Sequence, residues 1–140
     1  AKLLADAEQA RAAYLRDSSN ADALIWLGRR LAYLGNYDEA IALFTRGIQQ
    51  HPIDARMYRH RGHRYLTTRC FDKAITDFET AAQLIKGKQD EIEPDGMPNA
   101  QNIPTSTLQS NIWYHLGLAY FLKKEFKKAE QAYKECLKVS

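Results

Sequence analysis

The densest set of chemically capable side chains lies between residues 54 and 77, where Arg56, Arg59, Arg61, Arg64 and Arg69 are mixed with His60, His63, Cys70, Asp72 and Asp77. His60 and His63 stand three apart, a spacing that can hold a metal from one face of a helix. Zinc wants four well-placed ligands, and Cys70 would sit a helix length from His60, so the set does not close and no metal is expected. No Ser, Cys and His combination has the context of a nucleophilic site. Catalysis and cofactors are therefore not expected. What the arginines do offer is bidentate pairing with carboxylates. Phosphate is their other target, and several such contacts would make nucleic-acid binding steeply salt-dependent. Interleaved Asp54, Asp72 and Asp77, and a net charge of only +3 from 20 Lys+Arg against 17 Asp+Glu, argue against nucleic acid.

The bounds are mild elsewhere. A chain of 140 residues suits one domain, and without a run of about 18 apolar residues nothing in it is expected to span a membrane. Cys70 and Cys136 are in no CxxC spacing and read as free thiols, which favours a reducing compartment such as the cytoplasm. The chain begins at Ala1 rather than Met, which leaves export open.

The elements that must position these residues announce themselves by repetition. Leu24, Leu27-Gly28, Leu31, Ala40 and Phe44, closed by Pro52, return 34 residues later as Tyr58, Arg61-Gly62, Tyr65, Ala74 and Phe78. They return again 55 residues further on as Trp113, Leu116-Gly117, Tyr120, Ala129 and Tyr133, one period of 34 plus 21 extra residues. Glycine inside a helix costs about 1 kcal/mol relative to alanine, so Gly28, Gly62 and Gly117 are expected where backbones approach closely. Ala40, Ala74 and Ala129 are the small partners in the second helix of each unit. Phe44, Phe78 and Tyr133 fill the remaining space. No unit could bury these faces alone, so neighbours must stack.

On these residues the chain resembles the tetratricopeptide repeat family. The resemblance implies an all-α fold: a right-handed α-solenoid of helix-turn-helix repeats with a concave face, built for binding rather than chemistry. The expected layout is one domain over 1–140, with an N-terminal helix at 1–18, repeats at 21–54 and 55–86, an irregular insertion at 87–105 and a third repeat at 106–140. The N-terminal helix reads equally as a cap or as the back half of a worn repeat. Gly35-Asn36 is the expected turn of the first repeat, since both residues tolerate positive φ. Ser106 with Gln109 reads as a capping box restarting the helix after the insertion.

One departure from the pattern is informative. Arg61 stands where Leu27 and Leu116 stand, and Asp77 replaces the uncharged Leu43. A charge at a packed position needs a partner, so an Arg61–Asp77 salt bridge is expected; a ligand contact by Arg61 is the alternative.

The family's first helices line the groove, and helical spacing then selects Ile25, Arg29, Ala32 and Tyr33, then Arg56, Arg59, His63 and Leu66, then Asn111, Tyr114, Leu118 and Phe121. The expected function is non-catalytic recognition of a protein or peptide, as an adaptor or scaffold. Arg29, Arg56, Arg59 and His63 would engage acidic groups, and Ile25, Tyr33, Tyr114, Leu118 and Phe121 would give apolar contacts. The plain alternative is that Arg56, Arg59 and Arg64 are ordinary solvated helix charges. Some family members clamp a chaperone's C-terminal carboxylate with Lys and Asn residues. Here the corresponding places hold Ile25, Arg29, His60, Asn111 and His115, so the clamp is not reproduced and chaperone tails are not expected. The insertion carries Asp90, Glu91, Glu93 and Asp95; it either folds across the groove to meet Arg56 or Arg59, or is a disordered bulge. The competing function is a structural segment that self-associates through the last helix, around Tyr133, Cys136 and Leu137.

Overall fold

The computed structural model describes residues 1–93 and 106–139. Among them the order is α1 Lys2–Arg16, α2 Ala21–Tyr33, α3 Tyr37–Gln50, α4 Ala55–Thr67, α5 Phe71–Leu84, α6 Leu108–Leu122 and α7 Phe126–Val139. Among the described residues there is no strand, and a single antiparallel bridge joins Ile92 to Thr107. None of the helices is long and apolar enough to cross a membrane. Each helix packs on the next in sequence, and α4 also touches α2 and α6. The all-α repeat architecture expected from the 34-residue period is thus present.

Local chemistry sets the helix ends. Asn20 accepts from the Ala23 amide at 3.1 Å and starts α2, and Asp54 accepts from the Arg56 amide at 3.0 Å and starts α4. Both satisfy amides that the helix cannot. The capping box before α6 lies one residue later than Ser106–Gln109: Thr107 accepts from the Ser110 amide at 3.1 Å, and the Thr107 amide donates to Ser110 Oγ at 3.2 Å. Pairing of Ile92 with Thr107 holds the backbone extended to that point, and Gln109 donates to the Lys88 carbonyl instead. Within the pairs, the turn needs one left-handed residue. Gly35 supplies it in the first unit at φ 81°, while Asn36 stays at φ −82°. Arg69 and Lys124 take the same role in the later units at φ 66° and 64°.

The core runs as linked clusters rather than one centre. Tyr14 of α1, Leu24, Leu27 and Leu31 of α2, Phe44 of α3 and Met57 of α4 form the first. Ala81 and Ile85 meet Leu108 and Ile112 in the second, and Phe78 meets Leu116 and Tyr120 in the third. A Cβ added to Gly28 would run into the end of the Phe44 ring, and one added to Gly117 would lie 2.6 Å from Tyr133. Gly62 is less tight, since a Cβ there would lie 3.0 Å from Phe78. Ala40, Ala74 and Ala129 are buried.

Arg61 and Asp77 face each other across α4 and α5. Arg61 Nε and Nη2 each donate to the carboxylate at 2.8 Å, and Nη1 reaches Thr45 Oγ of α3 at 3.2 Å. Burial pushes the Asp77 carboxyl above its usual range even against the guanidinium, whereas the hydrogen bonds to Asp77 hold the Arg61 proton more firmly. The pair is ionised, because two parallel short contacts are the geometry of guanidinium on carboxylate.

Candidate functional site

The leading helices α2, α4 and α6 lie side by side, so their outward faces make one wall. On that wall the arginines of α4 are largely committed within the chain. Arg56 donates Nε and Nη2 to Asp54 at 3.0 and 2.7 Å, and Nη1 to Asp22 of α2 at 2.6 Å. Arg59 is buried and places Nε and Nη2 on the two oxygens of Glu93, each at 2.9 Å.

Glu93 reaches the wall because the residues after α5 fold back over it. The Glu93 amide donates to the Ser106 carbonyl at 3.0 Å and the Leu108 amide donates to the Glu91 carbonyl at 2.9 Å, which pins the segment against the start of α6. Asn111 of α6 adds a bond to the Glu93 carboxylate at 2.7 Å. The described part of the insertion therefore meets Arg59, while Arg56 pairs elsewhere. Asp90 accepts from the Gln109 amide at 3.0 Å, and Asp95 lies outside the described residues.

Burial on this wall favours the neutral form of His60, His63 and His115. His63 packs against His115 with ring centroids 4.5 Å apart, and His60 stacks on Phe44 at 5.4 Å. Burial, with nearby arginines, depresses His63 to about 2 and His115 to about 4, and takes His60 well below its usual value. An Arg59 Nη1–His63 Nδ1 contact of 3.3 Å fixes the tautomer, since guanidinium can only donate. The expectation that Arg59 and His63 present positive charge outward is corrected on both counts: one is spent on Glu93, the other is neutral.

Two hollows remain. The larger, ≈ 570 Å³, lies between α2, α4 and the Glu91–Glu93 segment, floored by Ile25, Trp26 and Ile92 with Arg29 and Arg56 at its rim. Ile25 is buried and shows only part of its side chain there. The smaller, ≈ 110 Å³, lies between α2 and α4 and includes Arg29, Tyr33, Arg59, His63 and Arg64. The expected contact residues of α2 and α4 are thus brought together. Of those of α6, Asn111 joins them through Glu93, whereas Tyr114 is exposed and edge-on to His115, Leu118 is half-buried, and Phe121 packs against Phe126.

Trp26 lines the larger hollow and was not among the expected groove residues. It is exposed, and the Arg30 guanidinium lies over its ring at 4.3 Å with Arg29 at 5.5 Å. Its signal was present as an aromatic three and four residues before two arginines, the spacing that stacks a cation on a helical neighbour.

Comparison with known proteins agrees with this architecture. Sequence models of the tetratricopeptide repeat match residues 21–54 and 110–140. The human tetratricopeptide repeat protein 13 is 32% identical over 108 residues, which is 77% of this chain and 10% of that protein, so the chain spans about a tenth of the relative's length. Among solved structures, the first TPR of Spaghetti (RPAP3) bound to HSP90 peptide SRMEEVD is similar at TM-score 0.69 and 22% identity, covering 89% of this chain and 82% of that one. MamA is similar at TM-score 0.70 and 21% identity, covering 94% and 65%. With two units matched in sequence and its helix pairs arranged as in solved arrays, the chain belongs to the tetratricopeptide repeat family.

Proposed function

We propose that the chain is a non-catalytic recognition module that holds an extended peptide segment of a protein partner on its concave wall, as an adaptor or scaffold piece. The observation that carries this is the larger hollow, whose Ile25, Trp26 and Ile92 floor is apolar while its rim is charged. Such a site suits an apolar anchor flanked by polar groups, because aromatic side chains give rigid contact area at low entropic cost. The fold similarity to a repeat array bound to an HSP90 peptide supports the class of ligand. It does not supply the ligand's identity, since Ile25, His60 and His115 stand where that kind of carboxylate clamp needs Lys or Asn. Nucleic acid loses support, because Arg56, Arg59 and Arg61 are already paired with carboxylates.

Affinity selection from a random peptide library tests the proposal. Enriched peptides should carry an apolar residue, and Trp26→Ala should weaken them about tenfold or more, near 1.4 kcal/mol, with thermal stability unchanged. Absence of enrichment, or equal affinity in the variant, would overturn it. A second reading, self-association through α7, draws on the 75% exposure of Leu137 and 57% exposure of Phe126. A concentration-independent monomer mass would remove it.

A further inference from the structure

The described start of the insertion presents a strand edge. Ile92 faces Thr107 in an antiparallel bridge whose two bonds come from the flanking residues: the Glu93 amide donates to the Ser106 carbonyl, and the Leu108 amide to the Glu91 carbonyl. In such a pair the facing residues exchange no hydrogen bond, because their own amides and carbonyls point to the outer sides of the ribbon. The N–H and C=O of Ile92 therefore point away from Thr107. Neither has a partner among the described residues.

What lies on that side is the larger hollow. Its lining takes Glu91, Ile92 and Glu93 on one flank and residues of α2 and α4 on the other, with none from Thr107 or α6. The segment thus separates Thr107 from the hollow, and the unpaired donor and acceptor of Ile92 open into it. An unpaired strand edge is a template for another extended chain. Where a peptide adds to such an edge, main-chain bonds give affinity and alternate side chains give specificity. In an antiparallel addition one residue of the incoming chain takes both bonds of Ile92, and its side chain stands on the same face as that of Ile92. Ile92 shares the hollow with Ile25 and Trp26, so that residue is apolar.

Charge fixes the residue after it. The Glu91 carboxylate meets no cation among the described residues. Glu91 also borders a neighbouring hollow with Asp54 and Arg56, and there Arg56 alone answers both Asp54 and Asp22, which leaves one negative charge over. Arg29, the other arginine of the larger hollow's lining, lies about two turns along α2 from Asp22. A chain running antiparallel to Glu91–Glu93 sets the residue after its apolar anchor opposite Glu91, where a basic side chain is complementary.

We propose that the partner peptide adds an antiparallel strand to the free edge of Ile92, with an apolar residue paired to Ile92 and a Lys or Arg directly after it opposite Glu91. This mode rests on the peptide-binding function above and assigns its main-chain contacts and its sequence preference.

The test uses a blocked hexapeptide, Thr-Val-Lys-Val-Lys-Thr, with two comparison peptides: one with both lysines replaced by glutamate, one N-methylated at both valines. Amide NMR spectra of the protein follow each titration. The lysine peptide should shift the Ile92 amide saturably and slow its exchange with solvent. The glutamate form should bind about tenfold more weakly, and the N-methylated form should not bind. Ile92→Pro removes the outward N–H and leaves both bridge bonds in place, since these belong to Glu91 and Glu93. With backbone spectra confirming the fold, it should weaken the lysine peptide about tenfold or more, while Ile92→Val should retain most of the binding. No saturable shift at Ile92, equal binding of the N-methylated or glutamate peptide, or full binding in Ile92→Pro would overturn the strand mode. Library peptides that bind the parent protein and Ile92→Pro alike would remove this mode and leave the peptide-binding function standing. An empty library together with no shift at Ile92 would remove both.

Discussion

The first and second helix pairs occupy equivalent frames and fill them by different chemistry. Where α2 and α3 put Leu27 and Leu43 into an apolar cluster, α4 and α5 put Arg61 and Asp77 into a bidentate ion pair tied also to Thr45. Where Gly28 is pressed directly by Phe44, Gly62 leaves Phe78 more room. Where a glycine makes the first turn, an arginine makes the second. The repeat therefore constrains volume and backbone path more than it constrains polarity, and a unit can adopt a charged pair provided both members arrive together.

The largest effect should come from separating that pair. Asp77→Ala leaves half-buried Arg61 uncompensated and should cost about 3 kcal/mol, whereas Arg61→Leu with Asp77→Leu, which copies the first unit, should be neutral or stabilising. Chemical denaturation of the two variants decides it, and equal losses would break the comparison. Next comes the glycine. Gly28→Ala should destabilise by about 1–3 kcal/mol through overpacking against the fully buried Phe44. At Gly62 the helix-propensity gain of about 1 kcal/mol opposes a milder clash, so thermal melts should show Gly62→Ala close to unchanged. Smallest is the turn: Arg69→Gly should stabilise by about 1 kcal/mol, because only glycine adopts that backbone without strain. A loss of stability there would mean that the Arg69 contact with Phe71, 5.5 Å from the ring centroid, outweighs the strain.

Repetition made the fold legible. Three copies of bulky, Leu-Gly or Arg-Gly, and Ala-x₃-aromatic spacing give the helix pairs, their stacking order and the joint change at Arg61 and Asp77 before any coordinate. The site was legible only in part, because a list of outward-facing residues on one helix does not show what approaches it from elsewhere. Asp22 and Arg56 lie on different helices, and Glu93 comes from a segment with no helical register, so the neutralisation of Arg56 and Arg59 could be suggested but not located. The charge state of His63 depends first on its burial and then on Arg64, His115 and Arg59 around it, which no spacing rule encodes. Trp26 escapes a reading by spacing because Ile25 beside it holds the groove position, and the side chains of adjacent residues leave a helix in different directions.

The short clasp between Glu93 and Ser106 has one more consequence. Since the chain departs and re-enters through hydrogen-bonded neighbours, the gap to be closed is set by those two points, and the closure cost grows only slowly with the length strung between them. Evolution, or an engineer wishing to hang a tag or a small module from this array, has there a doorway already framed.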